Sequence, residues 1–296
     1  MGLIRKYHIQ SFPSAGLFLA EAEEFYRRDL VQNILPLYVA QRARSRNERT
    51  ESYLVRDSDG KIVFAAFRSL PFHFFMSPQH PEDIAGAADL MEHIVATSGC
   101  PGLTGPARVC GVMAQQWARL TGGTVKQDLD STFYMIEPGQ EVASVAPKGH
   151  MRLATLDDLP ELLPLMQRGS EEMGLPPEEC DPLVVEATLR RAISEGGQLV
   201  WDDGGIAATL RGIFIPPVAS LATMATHHER RGKGYATAIL AQAIKGPLAS
   251  GFTHVVGYAD KDNIGSNKAC QRAGFRFYCK NAAYTFTAPN AKPAED

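Results

Sequence analysis

Apolar positions along this chain repeat at two periods, near 3.6 residues and near 2, and stretches of each kind alternate. Leu17, Ala20, Ala22 and Phe25 fall near helical spacing. They predict a helix over Ala15–Arg27 with Ser14 as its cap, followed by a second helix over Asp29–Arg42. Glu51–Val55 and Lys61–Phe67 read as strands around the turn Asp57-Ser58-Asp59-Gly60. Further helices are predicted over Ile84–Thr97 and Cys110–Leu120, the latter stopped by Gly122-Gly123. Ser131–Ile136 returns to strand composition.

Glu137–Gly149 carries prolines and glycines without periodicity and reads as a linker. Beyond it the pattern starts afresh. Met151–Ala154 is a short strand. Thr155 can cap the next helix, with Asp157 and Asp158 in its first turn, where the helix dipole favours negative charge. Asp181–Ser194 is a second helix. Three strands follow at Gln198–Trp201, Gly205–Phe214 and Val218–Thr226. A helix from about Gly234 has Ala236, Ile239, Leu240, Ala243 and Ile244 on one face. The strand Thr253–Tyr258, a helix over Ser266–Ala273 and two closing strands, Phe275–Cys279 and Ala283–Thr287, complete the pattern. The expected class is α/β with a mixed sheet. The expected domains are 1–140 and 150–288, joined by a linker at 141–149 and followed by a tail at 289–296. The halves are similar in length, so both can be copies of one fold.

Composition narrows the function. The 296 residues exceed one ordinary core. Hydrophobic content of 45% and charged content of 21% are those of a globular protein. A formal net charge of -3 gives no electrostatic reason to expect nucleic acid or an anionic membrane as partner. Cys100, Cys110, Cys180, Cys270 and Cys279 are odd in number and form no C-x-x-C pair, so neither a disulfide framework nor a metal site is expected. No leader-like apolar stretch follows Met1, and no apolar run is long enough to span a bilayer. The expected setting is cytoplasmic. A homodimer is compatible with the sequence, which carries no signal for or against it.

The candidate chemistry lies between the strand ending at Thr226 and the helix from Gly234. A loop that opens a helix offers unpaired N–H groups and the positive end of the helix dipole. Gly232 and Gly234 permit positive φ and close approach to a bulky anion, and Arg231 and Lys233 add positive charge. A P-loop needs Gly-Lys followed by Ser or Thr, but Gly234 precedes Tyr235. A dinucleotide fingerprint needs a third glycine where Thr237 stands. The pattern R-x-x-G-x-[GA] is filled by Arg231, Gly234 and Ala236. These six residues alone are also compatible with an exposed basic turn.

That pattern resembles the coenzyme A pyrophosphate loop of the GNAT acyltransferase superfamily. Downstream, Tyr258, Ala259, Asp260, Asn263, Ser266, Gly274 and Phe275 fit the segment Y-A-D-x-x-N-x-x-S-x-x-x-Y-x-x-x-G-F of the same family, in the family's order. The resemblance covers about 150–288. It implies a GNAT fold, with acetyl-CoA as co-substrate and no metal. Met224, Ala225 and Thr226 would hold the pantetheine arm, and Arg231, Gly232, Lys233, Gly234, Tyr235 and Ala236 the pyrophosphate. Asn263 and Ser266 would lie near the thioester; their alternative role is a turn and a helix cap.

The implied activity is N-acyl transfer to an amine of a small-molecule acceptor. One position departs from the family pattern: the tyrosine expected as the acid for the leaving thiolate is Cys270. Cys270, Tyr258 or a water are the candidate acids. Cys270 also reads as a small buried apolar residue. Glu171, Glu172, His227 and His228 are the candidate bases, with Glu171 placed first. The two histidines abut the loop, where neighbouring side chains are expected to diverge. The N-terminal half has no R-x-x-G-x-[GA]. Its Gly102–Pro106 and Trp117–Gly122 segments resemble a degenerate GNAT-like first copy. The alternative function is a non-catalytic CoA-binding sensor or interaction protein, favoured by the missing tyrosine.

Overall fold

The computed structural model describes residues 7–143, 147–172 and 180–289. By contacts the chain divides into two units. One comprises Met1–Thr132 with Cys279–Asp296, the other Phe133–Tyr278. The division falls ahead of the proline- and glycine-containing segment picked out by composition, of which residues 144–146 lie outside the described residues. The expected tail at 289–296 lies outside them too, apart from Pro289.

In the first unit, β1 (His8–Ser11), β2 (Thr50–Arg56), β3 (Ile62–Ser69) and β4 (Phe74–Pro78) are antiparallel neighbours, and β4 runs parallel to β5 (Gly102–Pro106). Helices α1 (Ala15–Arg28) and α2 (Leu30–Arg46) follow β1, while α3 (Ala87–Thr97) and α4 (Ala107–Thr121) flank β5 in sequence. Ser14 caps α1 as expected, its hydroxyl accepting the Leu17 N–H at 3.3 Å. The alternation of strand residues splits the core. Phe64, Ala66 and Phe74 pack with Leu90, Met91 and Met113 of α3 and α4. Phe67 turns the other way, its ring 5.4 Å from Phe18 of α1.

β1, β4 and β5 were not expected. Gly102 to Pro106 has the composition of a turn but forms a strand, and its glycines answer to crowding. A Cβ on Gly105 would stand 2.5 Å from the Met76 carbonyl, and one on Gly102 would overlap the Tyr284 carbonyl. The helix expected from Ile84 starts at Ala87, after Gly86 at φ 74°.

In the second unit, β7 (His150–Leu153), β8 (Gln198–Asp202), β9 (Ile206–Ile215) and β10 (Val218–Thr226) are antiparallel neighbours, and β10 pairs in parallel with β11 (His254–Asp260). α5 (Leu159–Glu172) and α6 (Pro182–Ser194) cover one face of this sheet. Their Leu162, Leu165, Met166 and Leu189 pack on Val200 and Ile206. α7 (Tyr235–Ala249) and α8 (Ile264–Ala273) cover the other. Ile239, Leu240, Ala243 and Ile244, four of the five residues of the expected stripe, are buried there with Leu199, Trp201, Leu210 and Leu221. Thr155 opens the expected helix through a short 3-10 turn, and the Asp158 carboxylate accepts the Thr155 N–H at 2.7 Å.

The two units share one element order: strand, two helices, three strands, helix, strand, helix. Each takes its sixth strand from the other half of the sequence. β6 (Thr124–Ile136) follows the elements of the first unit, yet its end, Phe133–Ile136, belongs to the second and neighbours β11. The two closing strands expected after Phe275 are one strand, β12 (Arg276–Thr287), whose Asn281–Thr285 pair antiparallel with β5. Lys280 and Asn281 interrupt its apolar pattern without a glycine or proline to turn the chain, so the strand continues. Phe286 stacks on Trp117 of α4 at 4.5 Å. Truncating this buried ring by Phe286→Ala is expected to destabilise the first unit by about 3–5 kcal/mol. Urea unfolding followed by Trp117 fluorescence in a Trp201→Phe background reads this directly.

Candidate functional site

The site grows from the parting of two strands. β10 and β11 pair from Val218↔His254 to Leu221↔Gly257 and no further, although β10 runs on to Thr226 and β11 to Asp260. On its other side β10 stays bonded to β9 through Thr226↔Ala208, across a bulge between Ala222 and Ala225. Thr223 sits in this bulge at φ 47°, a conformation that costs a β-branched residue roughly 1–2 kcal/mol. Beyond Leu221, the edge of β10 facing away from β9 has no partner strand among the described residues. Met224 is half-buried against the core under α7, and Ala225 packs on the opposite core under α5. Together with Thr226 these are the three residues expected to hold an extended ligand arm.

Strand β10 leads through a 3-10 turn, His228–Arg230, to α7. Gly234 takes the cap position at φ 90°, and no side chain caps the helix. The first N–H groups of α7 therefore have no side-chain partner at the helix start. Gly232 has φ 77° and open space where a Cβ would stand. Arg231, Gly232 and Lys233 are exposed. The motif residues thus form an open, cationic, uncapped helix start, and the groups present suit a diphosphate.

Tyr235 differs from its neighbours in the motif. Its ring is buried in the core beneath α7, and its hydroxyl donates to Asp203 Oδ2 at 2.5 Å. That hydrogen bond raises its pKa. Only its backbone is left to meet a ligand. Ala236 is half-buried against the same core.

Arg231 is ion-paired, Nη2 lying 2.6 Å from Oε2 of Glu172 at the end of α5, and Nε donates to the Thr226 carbonyl at 3.3 Å. The Arg231 hydrogen bond holds the Glu172 carboxyl below the ordinary carboxylate range. Glu171 is exposed beside it. The histidine rings of residues 227 and 228 do not diverge as expected but stack at 4.6 Å, with the His227 backbone N–H donating to the Ala207 carbonyl at 3.0 Å.

Asn263 caps α8, its Oδ1 accepting the Ser266 N–H at 2.9 Å, so the helix starts two residues before the expected Ser266. Tyr258 follows the last residue of β11 that pairs with β10 and lies flat on Phe133, with ring centroids 4.5 Å apart. Cys270 is 4% exposed within the core under α7 and α8, and burial pushes its thiol up to about 12. Among the described residues no group of three or more His, Cys, Asp or Glu side chains is placed to hold a metal ion, and no helix is long and apolar enough to cross a membrane. Sequence reasoning missed Asp203 and Arg230. An Asp-Asp-Gly-Gly run reads as a hairpin turn and gives no hint of the loop it meets.

This fold recurs in solved structures across the whole chain. A GNAT-family acetyltransferase from Colwellia psychrerythraea aligns at 15% identity and TM-score 0.57, covering 95% of this chain and 100% of that one. A GCN5-related N-acetyltransferase from Sphaerobacter thermophilus aligns at 15% identity and TM-score 0.57, covering 99% of each chain. A tandem GNAT protein from the clavulanic acid biosynthesis pathway aligns at 15% identity and TM-score 0.51, over 97% of this chain and 100% of that one. No curated protein matches in sequence. Residues 164–275 match the acetyltransferase (GNAT) family, and the second unit carries a domain of that family.

The Arg231–Glu172 pair has a pH signature. A carboxyl whose folded pKa is depressed adds stability above its unfolded value, about 4.3, and loses it as pH falls through the folded pKa. In Arg231→Met, the Glu172 pKa measured by carboxyl NMR is expected to rise towards the ordinary value. The variant should then lose less stability than the wild type on acidification below that pH.

Proposed function

We propose that the second unit is an acyl-CoA-dependent N-acyltransferase that passes the acetyl group of acetyl-CoA directly to an amine of a small-molecule acceptor. One observation carries this reading: β10 leaves β11 and runs straight into an uncapped, glycine-containing, cationic helix start. A thioester arm and a diphosphate are the two parts of one ligand that need these two features side by side. Family membership of residues 164–275 supports acetyl transfer in general.

In this reading the open edge at Met224, Ala225 and Thr226 bonds the pantetheine amides as an added strand. The backbone of Gly232 to Ala236 and the charges of Arg231 and Lys233 bind the diphosphate. Asn263 and Ser266, at the start of α8, contact the cofactor near the thioester. A backbone N–H where β10 parts from β11 stabilises the oxyanion. Acetyl-CoA supplies an activated acyl group, and the chain's residues orient it and manage two protons.

Glu171 takes one proton from the attacking amine. Its neighbour Glu172 is held by Arg231 and is the weaker base. Tyr258, just past the last position at which β11 pairs with β10, gives the other proton to the leaving thiolate. Cys270 stands where the family pattern has tyrosine, but its burial suits a packing role.

Release of free thiol from acetyl-CoA across a panel of amines tests the activity. Tyr258→Phe is expected to lower kcat by about 10²-fold or more with little change in KM for acetyl-CoA, and Cys270→Ala to leave kcat nearly unaltered. Tight CoA binding without turnover on any amine would instead support a CoA-binding sensor. If Cys270→Ala lost activity while folded, the proton donor assigned here would be wrong.

A further inference from the structure

The two residues that flank Arg231–Gly234 converge on one carboxylate. Asp203 lies in the turn that joins β8 to β9. Its Oδ2 accepts the hydrogen bond of Tyr235, the first residue of α7. The same oxygen lies 3.5 Å from Nη1 of Arg230, and that nitrogen also donates to the Asp203 carbonyl at 2.8 Å. Both flanks of the loop are therefore held from one point on a neighbouring hairpin.

That point is itself fixed. The Asp203 N–H donates to the Gly205 carbonyl at 3.0 Å, and the Gly205 N–H to Asp202 Oδ1 at 3.3 Å. Asp202 is held by Arg152, which is also hydrogen-bonded to both carboxylate oxygens of Asp158 at 2.8 Å. At the far end of the turn, Glu161 Oε2 accepts the Ile206 N–H at 2.8 Å. The hairpin tip is thus bonded to β7 through Arg152, which also holds the Asp158 end of the Thr155 turn, and to the start of α5 through Glu161.

Between the held flanks stand two glycines at positive φ. Glycine has the most backbone freedom to lose, so a loop of this composition left untied would have to be ordered by its ligand, at a cost in affinity. Tying Arg230 and Tyr235 removes much of that freedom beforehand. It also sets the direction of α7, whose first N–H groups must point together.

We propose that Asp203 is a positioning residue for the diphosphate loop, clasping Arg230 and Tyr235 so that the backbone N–H groups between them are arranged before the cofactor arrives. This rests on the CoA reading above. Asp203 itself touches neither cofactor nor acceptor in this proposal.

The test compares wild type, Asp203→Ala and Tyr235→Phe as full-length proteins. Hydrogen exchange of the Ala238 amide, which donates to the Gly234 carbonyl across the first turn of α7, reads the clasp alone when no ligand is present. It is expected to speed up roughly tenfold in Tyr235→Phe, the loss of one hydrogen bond to a charged group, and by at least as much in Asp203→Ala, which also loses the Arg230 ion pair, with other segments unaltered. KM for acetyl-CoA in Asp203→Ala is expected to rise by about the same factor while kcat at saturation stays within about twofold.

Unchanged exchange at Ala238 in folded variants overturns the clasp. So does faster exchange with unchanged acetyl-CoA affinity. Should Asp203→Ala not fold, Tyr235→Phe decides through exchange and KM. If wild type binds no CoA, the cofactor reading fails, and the exchange result still decides whether Asp203 orders the loop.

Discussion

Parallel strands are bonded by evenly spaced hydrogen bonds, and pulling two of them apart leaves polar backbone without partners. The second unit accepts that cost where β10 leaves β11, after Leu221 and Gly257. The bulge at Thr223, with a β-branched residue at φ 47°, is the local device that turns β10 away while keeping it bonded to β9. Strain of this kind persists where surrounding structure overrides it, and it concentrates at functional sites. The candidate site depends on this separation. It exposes the edge at Met224–Thr226, aims the chain at the start of α7, and leaves Tyr258 at the point where the strands divide.

The polar groups near this opening fall into two sets. One set is committed to structure: Asp203 to Arg230 and Tyr235, Asn263 Oδ1 to the start of α8, and Arg152 to Asp158 and Asp202. The other set stays open to solvent, with Gly232 and Lys233 exposed over an uncapped helix. Arg231 belongs partly to each, exposed yet paired with Glu172. An anion arriving at this loop meets a guanidinium that already has a carboxylate partner. That competition separates Arg231 from Lys233, although the sequence presents them as equivalent charges.

Much of this was legible in the sequence, for physical reasons that differ by element. The α7 stripe, the Ser14 and Thr155 caps and the Arg231–Ala236 loop are local signals, carried by residues close together in the chain. Residues distant in sequence carried what was missed. β5 was hidden because Gly102 and Gly105 answer to the backbones of Tyr284 and Met76, not to a turn. β12 was split in two because Lys280-Asn281 look like a break when their strand neighbours are unknown. The link from Asp203 to Tyr235 is a tertiary fact with no local trace.

The strand exchange bears on how such a chain is made. The second unit is one continuous stretch, Phe133–Tyr278, whereas the first is completed only by β12, near the far end of the sequence. During synthesis, β1 to β5 emerge early but lack the segment that covers the edge of β5 and stacks Phe286 on Trp117. An uncovered strand edge is a template for wrong pairing. The first unit must therefore wait for the whole of the second to be translated before it closes. Vectorial folding from the N-terminus, the usual order for a two-unit chain, is replaced here by near-simultaneous completion of both.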